Sequence, residues 1–312
     1  MSEVILFGEP MAMFVAKSCG PLYEVEEFTR MLAGAEVNVA IGLKRLEHSV
    51  AYVTKLGTDP FGTYIENKLK EEGLTVQITK DAEHFTGYQL KGKVLEGDPE
   101  VFYYRKNSAA SCLTPEDIEK VDLEGARVLH ITGIPPALSK SCREATYRLI
   151  QRARENNMMI SFDPNLRPTL WESNQIMIET INDIASKADL VLPGTGEGKI
   201  LMGSEKPEKI AEFYRKNGAK AVIVKAGGQG AYADCEEGKA FYPGYKVETV
   251  VDTVGAGDGF AVGILSAWLE GKNMAEMVDR GNAIGSIQVS VASDNEGLPT
   301  RDELDRYMKG AK

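Results

Sequence analysis

The chain predicts an α/β fold, a doubly wound, mostly parallel sheet accompanied by a smaller β-sheet, and three observations carry that expectation. Short apolar runs alternate with helical segments along most of the 312 residues. Helical segments such as 61–73 and 139–157 close on Gly or Asn, as helix C-termini do. Two stretches break this rhythm with β-like patterning joined by turns.

In chain order, the strand candidates are EVILFG at residues 3–8, SVAYVTKLG at 49–57, RVLHITG at 127–133, MMISFDPN at 158–165, ADLVLPG at 188–194 and KAVIVKAGG at 220–228. The intervening AEVNVAIGLKRL (35–46), FGTYIENKLKEEG (61–73) and SKSCREATYRLIQRARENN (139–157) have helical periodicity. In a sheet of this kind, active residues belong at the carboxyl ends of the strands. The two exceptions, residues 11–32 and 87–105, read as β segments joined by turns, with EGDPE (96–100) as a hairpin connection. They are expected either to fold over the mouth of the core as a lid or to extend a sheet edge. No repeat, low-complexity tract or long linker divides the chain, so residues 1–312 read as one domain with the lid inserted.

Hydrophobic residues make up 43% and charged residues 26%, which suits a globular protein with a substantial core. The formal net charge is -10 with no basic run, which argues against nucleic acid or an anionic membrane as a partner. The opening MSEVILFGEP reads as a strand and turn rather than a signal peptide, and no apolar run is long enough to cross a bilayer. Cys19, Cys112, Cys142 and Cys235 are scattered without metal or disulfide spacing, so a reducing cytoplasm is expected.

The chemistry concentrates in VVDTVGAGDGFAVGIL, residues 250–265. Tyr245–Val251, with Val247, Thr249 and Val251 alternating, reads as a strand, and Phe260, Ile264, Leu265 and Trp268 fall at helical spacing. Gly255, Gly257 and Gly259 therefore occupy a turn into a helix, where open N–H groups and the helix dipole suit an anion. Asp258 sits in the middle of that turn. Its carboxylate is either a helix cap or a general base beside developing phosphoryl charge.

A second glycine cluster, VIVKAGGQGAY, follows Lys225 at another strand end, and two such loops suggest a phosphate-rich ligand. The sequence holds no G-x-x-x-x-G-K-[ST] loop and no G-x-G-x-x-G after the first strand, which argues against a P-loop or ordinary dinucleotide enzyme. His48, His84 and His130 are far apart and read as structural. No nucleophile elbow supports a serine-histidine-aspartate triad.

DTVGAGDGFAVG closely resembles the D-T-x-G-A-G-D-x-F signature of ribokinase-like carbohydrate kinases. LAGAEVNVAIGLKRL, FDPNLRPTLW, VKAGGQG and DNEGLPT are also similar to segments of that family, so the resemblance spans nearly the whole chain. It implies a three-layer αβα ribokinase-like core with a small β lid, and transfer of the ATP γ-phosphoryl group to a sugar hydroxyl. Asp258 would then be the base, with the N–H groups of Gly255, Ala256 and Gly257 holding the phosphoryl group. By the same resemblance, Lys225, Gly227, Gly228 and Gly230 belong to the ATP loop, Asn165 and Arg167 serve the nucleotide, and Asn282 lies near the adenine. Glu197 aligns with the glutamate that organises hydrated Mg2+, although Gly194 stands where many relatives have asparagine. Asp252 occupies a position that serves a monovalent-cation site in some relatives, and a homo-oligomer is expected.

For the acceptor, VFYYRKNSAAS places Tyr103 and Arg105 two apart on a strand and so on one face. A guanidinium there would bind a carboxylate through paired hydrogen bonds. This segment and FDPNLRP resemble those of 2-keto-3-deoxygluconate kinases. That implies Arg105 and Arg167 at the carboxylate of a sugar acid, with Gly34, Asn38, Tyr88, Tyr103 and Asp294 around its carbonyl and hydroxyls. A lid salt bridge is the other role open to Arg105, and Arg167 has ATP phosphates as a second target. A fructokinase or other hexose kinase is the alternative activity. An idle sugar-binding regulator is the non-enzyme alternative, against which Asp258 in an intact GAGD turn argues.

Overall fold

The computed structural model describes residues 1–94, 99–291 and 294–310. In chain order the strands are β1 (Val4–Phe7), β2 (Met11–Ala16), β3 (Phe28–Ala33), β4 (Val50–Gly57), β5 (Thr75–Asp81), β6 (Tyr88–Lys91), β7 (Val101–Tyr104), β8 (Val128–Thr132), β9 (Met159–Asp163), β10 (Leu190–Val191), β11 (Ala221–Lys225), β12 (Gly230–Cys235) and β13 (Gly238–Pro243). Nine of them form one sheet in the order β13-β12-β11-β10-β9-β8-β1-β4-β5. From β11 to β5 every pairing is parallel, and the β11, β12, β13 hairpins add two antiparallel edge strands.

The central strands are apolar on both faces, with few polar breaks such as His130 and Ser161, because both faces of the sheet are covered. In β1, Val4 and Leu6 join one buried cluster while Ile5 and Phe7 join the other. The first cluster is completed by Val37 and Ile41 of helix Ala35–Arg45 and by helices Ala256–Leu269 and Met274–Gln288. Helices Lys140–Glu155, Asn174–Ser186 and Pro207–Lys216 complete the second, through residues such as Leu149, Ile181 and Tyr214. Three layers result, with the strand order turning back between β1 and β8. Such a reversal opens a crevice at the carboxyl ends of the strands.

Helix Ala256–Leu269 is apolar on nearly every side because it lies between two other helices. Two of its glycines serve that packing: a Cβ on Gly263 would stand 2.6 Å from the Arg280 carbonyl, and one on Gly259 would stand 3.2 Å from Ile284. Gly255 has a different task. Its φ of 78° turns the chain into the helix through the left-handed region.

The remaining four strands form a second sheet, β3-β2-β6-β7, lying across the carboxyl ends of the first. Its β2·β3 and β6·β7 pairs are antiparallel and its β2·β6 pair is parallel. The expected EGDPE connection between β6 and β7 falls in part on residues 96–98, outside the described residues.

One expected strand is absent. Tyr245–Val251 is irregular: the N–H groups of Val251 and Asp252 bond the Val289 carbonyl, and Val250 and Val251 are exposed. The alternation there has no sheet neighbour among the described residues, and its burial stops at Tyr245, which packs on the first cluster, and the half-buried Val247, so the glycine turn is entered from a loop.

Candidate active site

A cleft of about 460 Å3 lies between the two sheets. Its floor is built from the carboxyl ends of successive strands: Glu9 follows β1, Ile134 follows β8, Asp163 ends β9, Gly194 follows β10 and Lys225 ends β11. Gly255, Gly257 and Asp258 close one side, and Gln89, Tyr103 and Arg105 of the small sheet close the top. A larger groove of about 1,110 Å3 lies at the amino ends of β8 to β11, among Arg127, Asp189, Lys220 and Trp268. It contains neither glycine turn, so chemistry rather than volume identifies the site.

Asp258 is buried in the first turn of helix Ala256–Leu269. Its Oδ2 accepts a hydrogen bond from Asn38 Nδ2 at 2.8 Å, and its Oδ1 one from Asn165 Nδ2 at 3.4 Å. Both donors come from other elements. Burial pushes the Asp258 carboxyl up to about 7; the Asn38 bond and Arg167 oppose the rise, while the Asp163 and Glu36 carboxylates add to it. A carboxylate held near neutrality is suited to take a proton in the working pH range. Asn165 reaches it from a left-handed backbone, φ 38°, a conformation asparagine tolerates better than most residues.

The cations stand on either side. Lys225 Nζ bonds Asp163 Oδ2 at 2.6 Å and lies 3.6 Å from where a Cβ on Gly257 would be, so it faces the anion turn. Burial alone would lower the Lys225 pKa, but the Asp163 and Glu197 carboxylates raise it above its ordinary value. Arg167 is exposed at the cleft wall, with its Nη1 donating to the Leu166 carbonyl. Arg105 is buried, and both its Nε and Nη2 lie 2.6 Å from Glu9 Oε2.

Of the residues singled out in the sequence, the cleft brings together Gly34, Asn38, Tyr103, Arg105, Asn165, Arg167, Glu197, Lys225, Gly255, Gly257, Asp258 and Asp294. Ala256 is not in its wall; its N–H points at the Thr253 carbonyl, 3.4 Å away. Tyr88 is displaced by one register position. It stacks on Tyr104 at 4.7 Å on the outer face of the small sheet, so its neighbour Gln89 faces the cleft. Gly227, Gly228 and Gly230 form the turn from β11 to β12 just beyond Lys225, outside the cleft wall. Asn282 is also outside it, donating to the Pro243 carbonyl at 3.1 Å and so tying its helix to β13. The three histidines contact Ser266, Asp81 and Ser161 respectively and do not line the cleft.

Sequence reasoning missed Glu9, Glu36 and Asp163. Glu36 lies on the apolar side of its helix, bonded by the Thr132 hydroxyl, and burial raises its pKa. An acid among the apolar positions of AEVNVAIGL was the signal available for it.

Among the described residues no group of three side chains is spaced to hold a metal by itself. Glu197 accepts the N–H groups of Leu166 at 2.9 Å and Gly194 at 2.6 Å, and burial raises its pKa. Asp163 and Glu197 are the carboxylates on the cleft floor beside Lys225 and could hold, through its water shell, a Mg2+ brought in on phosphate oxygens, the manner usual for this ion. At the position expected for a monovalent cation, Asp252 Oδ2 is bonded by Lys91 Nζ at 3.1 Å.

A model of the pfkB family of carbohydrate kinases matches residues 1–301. The chain is 47% identical to a 2-dehydro-3-deoxygluconokinase of Bacillus subtilis, over 99% of this chain and 96% of that one. Its structure superposes on a PfkB protein from Polaromonas with a TM-score of 0.91 at 46% identity, covering 98% of this chain and 99% of that one. A ribokinase II of Escherichia coli, solved with ATP and Mg2+, superposes with a TM-score of 0.90 at 25% identity, covering 99% and 100%.

Proposed function

From the premise that this chain belongs to the pfkB family of carbohydrate kinases, we propose that its acceptor is 2-keto-3-deoxygluconate, phosphorylated by ATP at the C6 hydroxyl to give 2-keto-3-deoxy-6-phosphogluconate. The observation that carries this reading is the convergence, in one cleft, of a near-neutral Asp258 at the anion turn with two guanidiniums, Arg105 and Arg167.

In the proposed reaction, Asp258 takes the C6 hydroxyl proton as the oxygen attacks the γ-phosphorus. The new P–O bond forms as the bond from the γ-phosphorus to the β–γ bridging oxygen breaks, and ADP leaves. Gly255 and Gly257, backed by Lys225, hold the charge spread over the phosphoryl oxygens. Mg2+, held through Asp163 and Glu197, would neutralise part of that charge. Asn38 and Asn165 aim the base. Gly34, Asn38, Tyr103, Gln89 and Asp294 surround the sugar, and Arg105 and Arg167 serve its carboxylate. The β11–β12 turn at Gly227, Gly228 and Gly230 continues the nucleotide groove. The small sheet acts as a lid that excludes water from the phosphoryl group.

The reading takes residues 1–312 as one catalytic unit, working in the cytoplasm as a homo-oligomer. Four unpaired cysteines suit that compartment, and the exposed Phe102 and Tyr104 on the small sheet suit association. No helix among the described residues is long and apolar enough to cross a membrane. A coupled assay of ADP release with 2-keto-3-deoxygluconate and fructose side by side tests the acceptor: higher kcat/KM for the sugar acid supports it, and a preference for fructose overturns it.

A further inference from the structure

A buried ammonium joins the small sheet to the anion turn, beside the bond from Asn295 Nδ2 to the Leu32 carbonyl of β3 at 3.0 Å. Lys91 ends β6, and its Nζ lies 3.1 Å from Asp252 Oδ2 and 3.4 Å from Asp294 Oδ1. The other oxygen of Asp252, Oδ1, accepts the Val254 N–H at 3.0 Å, one step before Gly255. Gly255 in turn packs so closely on the backbone of Asp294 that a Cβ would stand 2.6 Å from its carbonyl oxygen. Lys91 thus bridges both backbone segments between which the turn is formed.

Val250, Val251 and Val254 are 59%, 52% and 41% exposed, so apolar burial contributes weakly. The N–H groups of Val251 and Asp252 also anchor this loop, on the Val289 carbonyl at 2.8 and 3.3 Å. Burial opposes the Lys91 charge, but Asp294 and Asp252 more than offset it and raise its pKa, so the ammonium stays charged. Phosphoryl transfer depends on placement more than on covalent chemistry, so a group that fixes the turn affects rate without touching substrate.

We propose that Lys91 is a positioning residue which couples the seating of the small sheet to the geometry of the anion turn, supplying from within the chain the positive charge that Asp252 would otherwise take from a free monovalent cation. This rests on the reading of Gly255 to Asp258 as the phosphoryl site. It does not depend on which sugar is the acceptor.

The test compares wild type with Lys91→Met and Lys91→Arg, using ATP and the best acceptor from the panel, in potassium and in tetramethylammonium buffers. Wild type is expected to work equally in both. Lys91→Met should keep its fold by circular dichroism but lose about 100-fold in kcat, the loss typical of a misplaced reacting group, with a smaller change in KM. Part of that rate should return with potassium or methylammonium, and Lys91→Arg should retain more than Lys91→Met. Without any ligand, hydrogen exchange in residues 250–257 should be faster in Lys91→Met. A wild type that requires potassium overturns the proposal, as does a folded Lys91→Met with wild-type kcat or unchanged exchange. Should Lys91→Met not fold, the cation dependence of wild type decides alone. If the sugar acid is not the acceptor, only the acceptor assignment fails, because the exchange and cation readouts stand apart from it.

Discussion

Asn38 and Asp258, 220 residues apart in sequence, are joined by a 2.8 Å hydrogen bond from the amide Nδ2 to the carboxylate Oδ2. The bond ties the first turns of two helices that flank the same side of the sheet. It also sets two requirements against each other. Asn38 favours the charged carboxylate, while burial and the neighbouring Asp163 and Glu36 favour the neutral acid. The outcome near 7 leaves a base that is both aimed and able to accept a proton.

Asp258→Asn keeps size and polarity and removes the base. Turnover should fall by about 100- to 10,000-fold, the usual range for general-base catalysis. Circular dichroism should show an unchanged fold. A folded variant with near-normal turnover would reduce Asp258 to a helix-stabilising residue.

The pH profile follows from the same carboxyl. Activity should decline as pH falls through about 7, where Asp258 becomes protonated. Asn38→Ala removes a bond that favours the charged form, so its acid limb should shift to higher pH. A limb that stays in place would detach the profile from Asp258. Stability runs the other way: the folded pKa of about 7 lies above the ordinary 3.8, so the folded state binds the proton more tightly. The contribution of this one carboxyl is therefore most favourable below about 3.8 and is lost as pH rises toward 7. Asp258→Asn should raise the melting temperature above neutral pH and leave it nearly unchanged in acid.

The parallel core was legible because β1 and β11 are nearly continuous apolar runs and β8 and β9 are broken only by His130 and Ser161 before their polar ends, a pattern that follows from burial on both faces. The head of helix Ala256–Leu269 was legible because glycines at a turn leave a local signature. Tyr245–Val251 misled because alternation reports side-chain direction and not the presence of a pairing strand. Tyr88 misled for a related reason. A shift of one residue exchanges the faces of a strand, and its register with Tyr104 is fixed by β7, far outside any local window. Glu9 and Asp163 stayed hidden because their partners, Arg105 and Lys225, lie 96 and 62 residues away.

Lid closure is open to hydrogen exchange. Residues 11–33 and 88–104 should gain protection when the sugar acid and a non-hydrolysable ATP analogue bind together, because closure excludes water from the phosphoryl group. The strands β4 and β8, buried in the core, serve as the internal control. Equal protection with and without ligands would make the small sheet a fixed wall.

The choice of acceptor turns on Arg105. One edge of its guanidinium is held by Glu9, through Nε and Nη2, which fixes the plane of the group where Arg105 lines the cleft. Replacing Arg105 alone would strand the Glu9 carboxylate in a buried position, a penalty unrelated to substrate. The informative variant is therefore Arg105→Met combined with Glu9→Gln, compared with Glu9→Gln by itself. If Arg105 binds the carboxylate, the difference should be about 1.5 to 3 kcal/mol for a charge-assisted hydrogen bond. That corresponds to roughly 10- to 150-fold in kcat/KM for the sugar acid. Fructose has no carboxylate to lose, so any activity on it should change much less, and the ratio of the two substrates cancels general damage to the lid. An equal loss on both would make the Arg105–Glu9 pair a structural tie between β1 and the small sheet, and the carboxylate would then fall to Arg167.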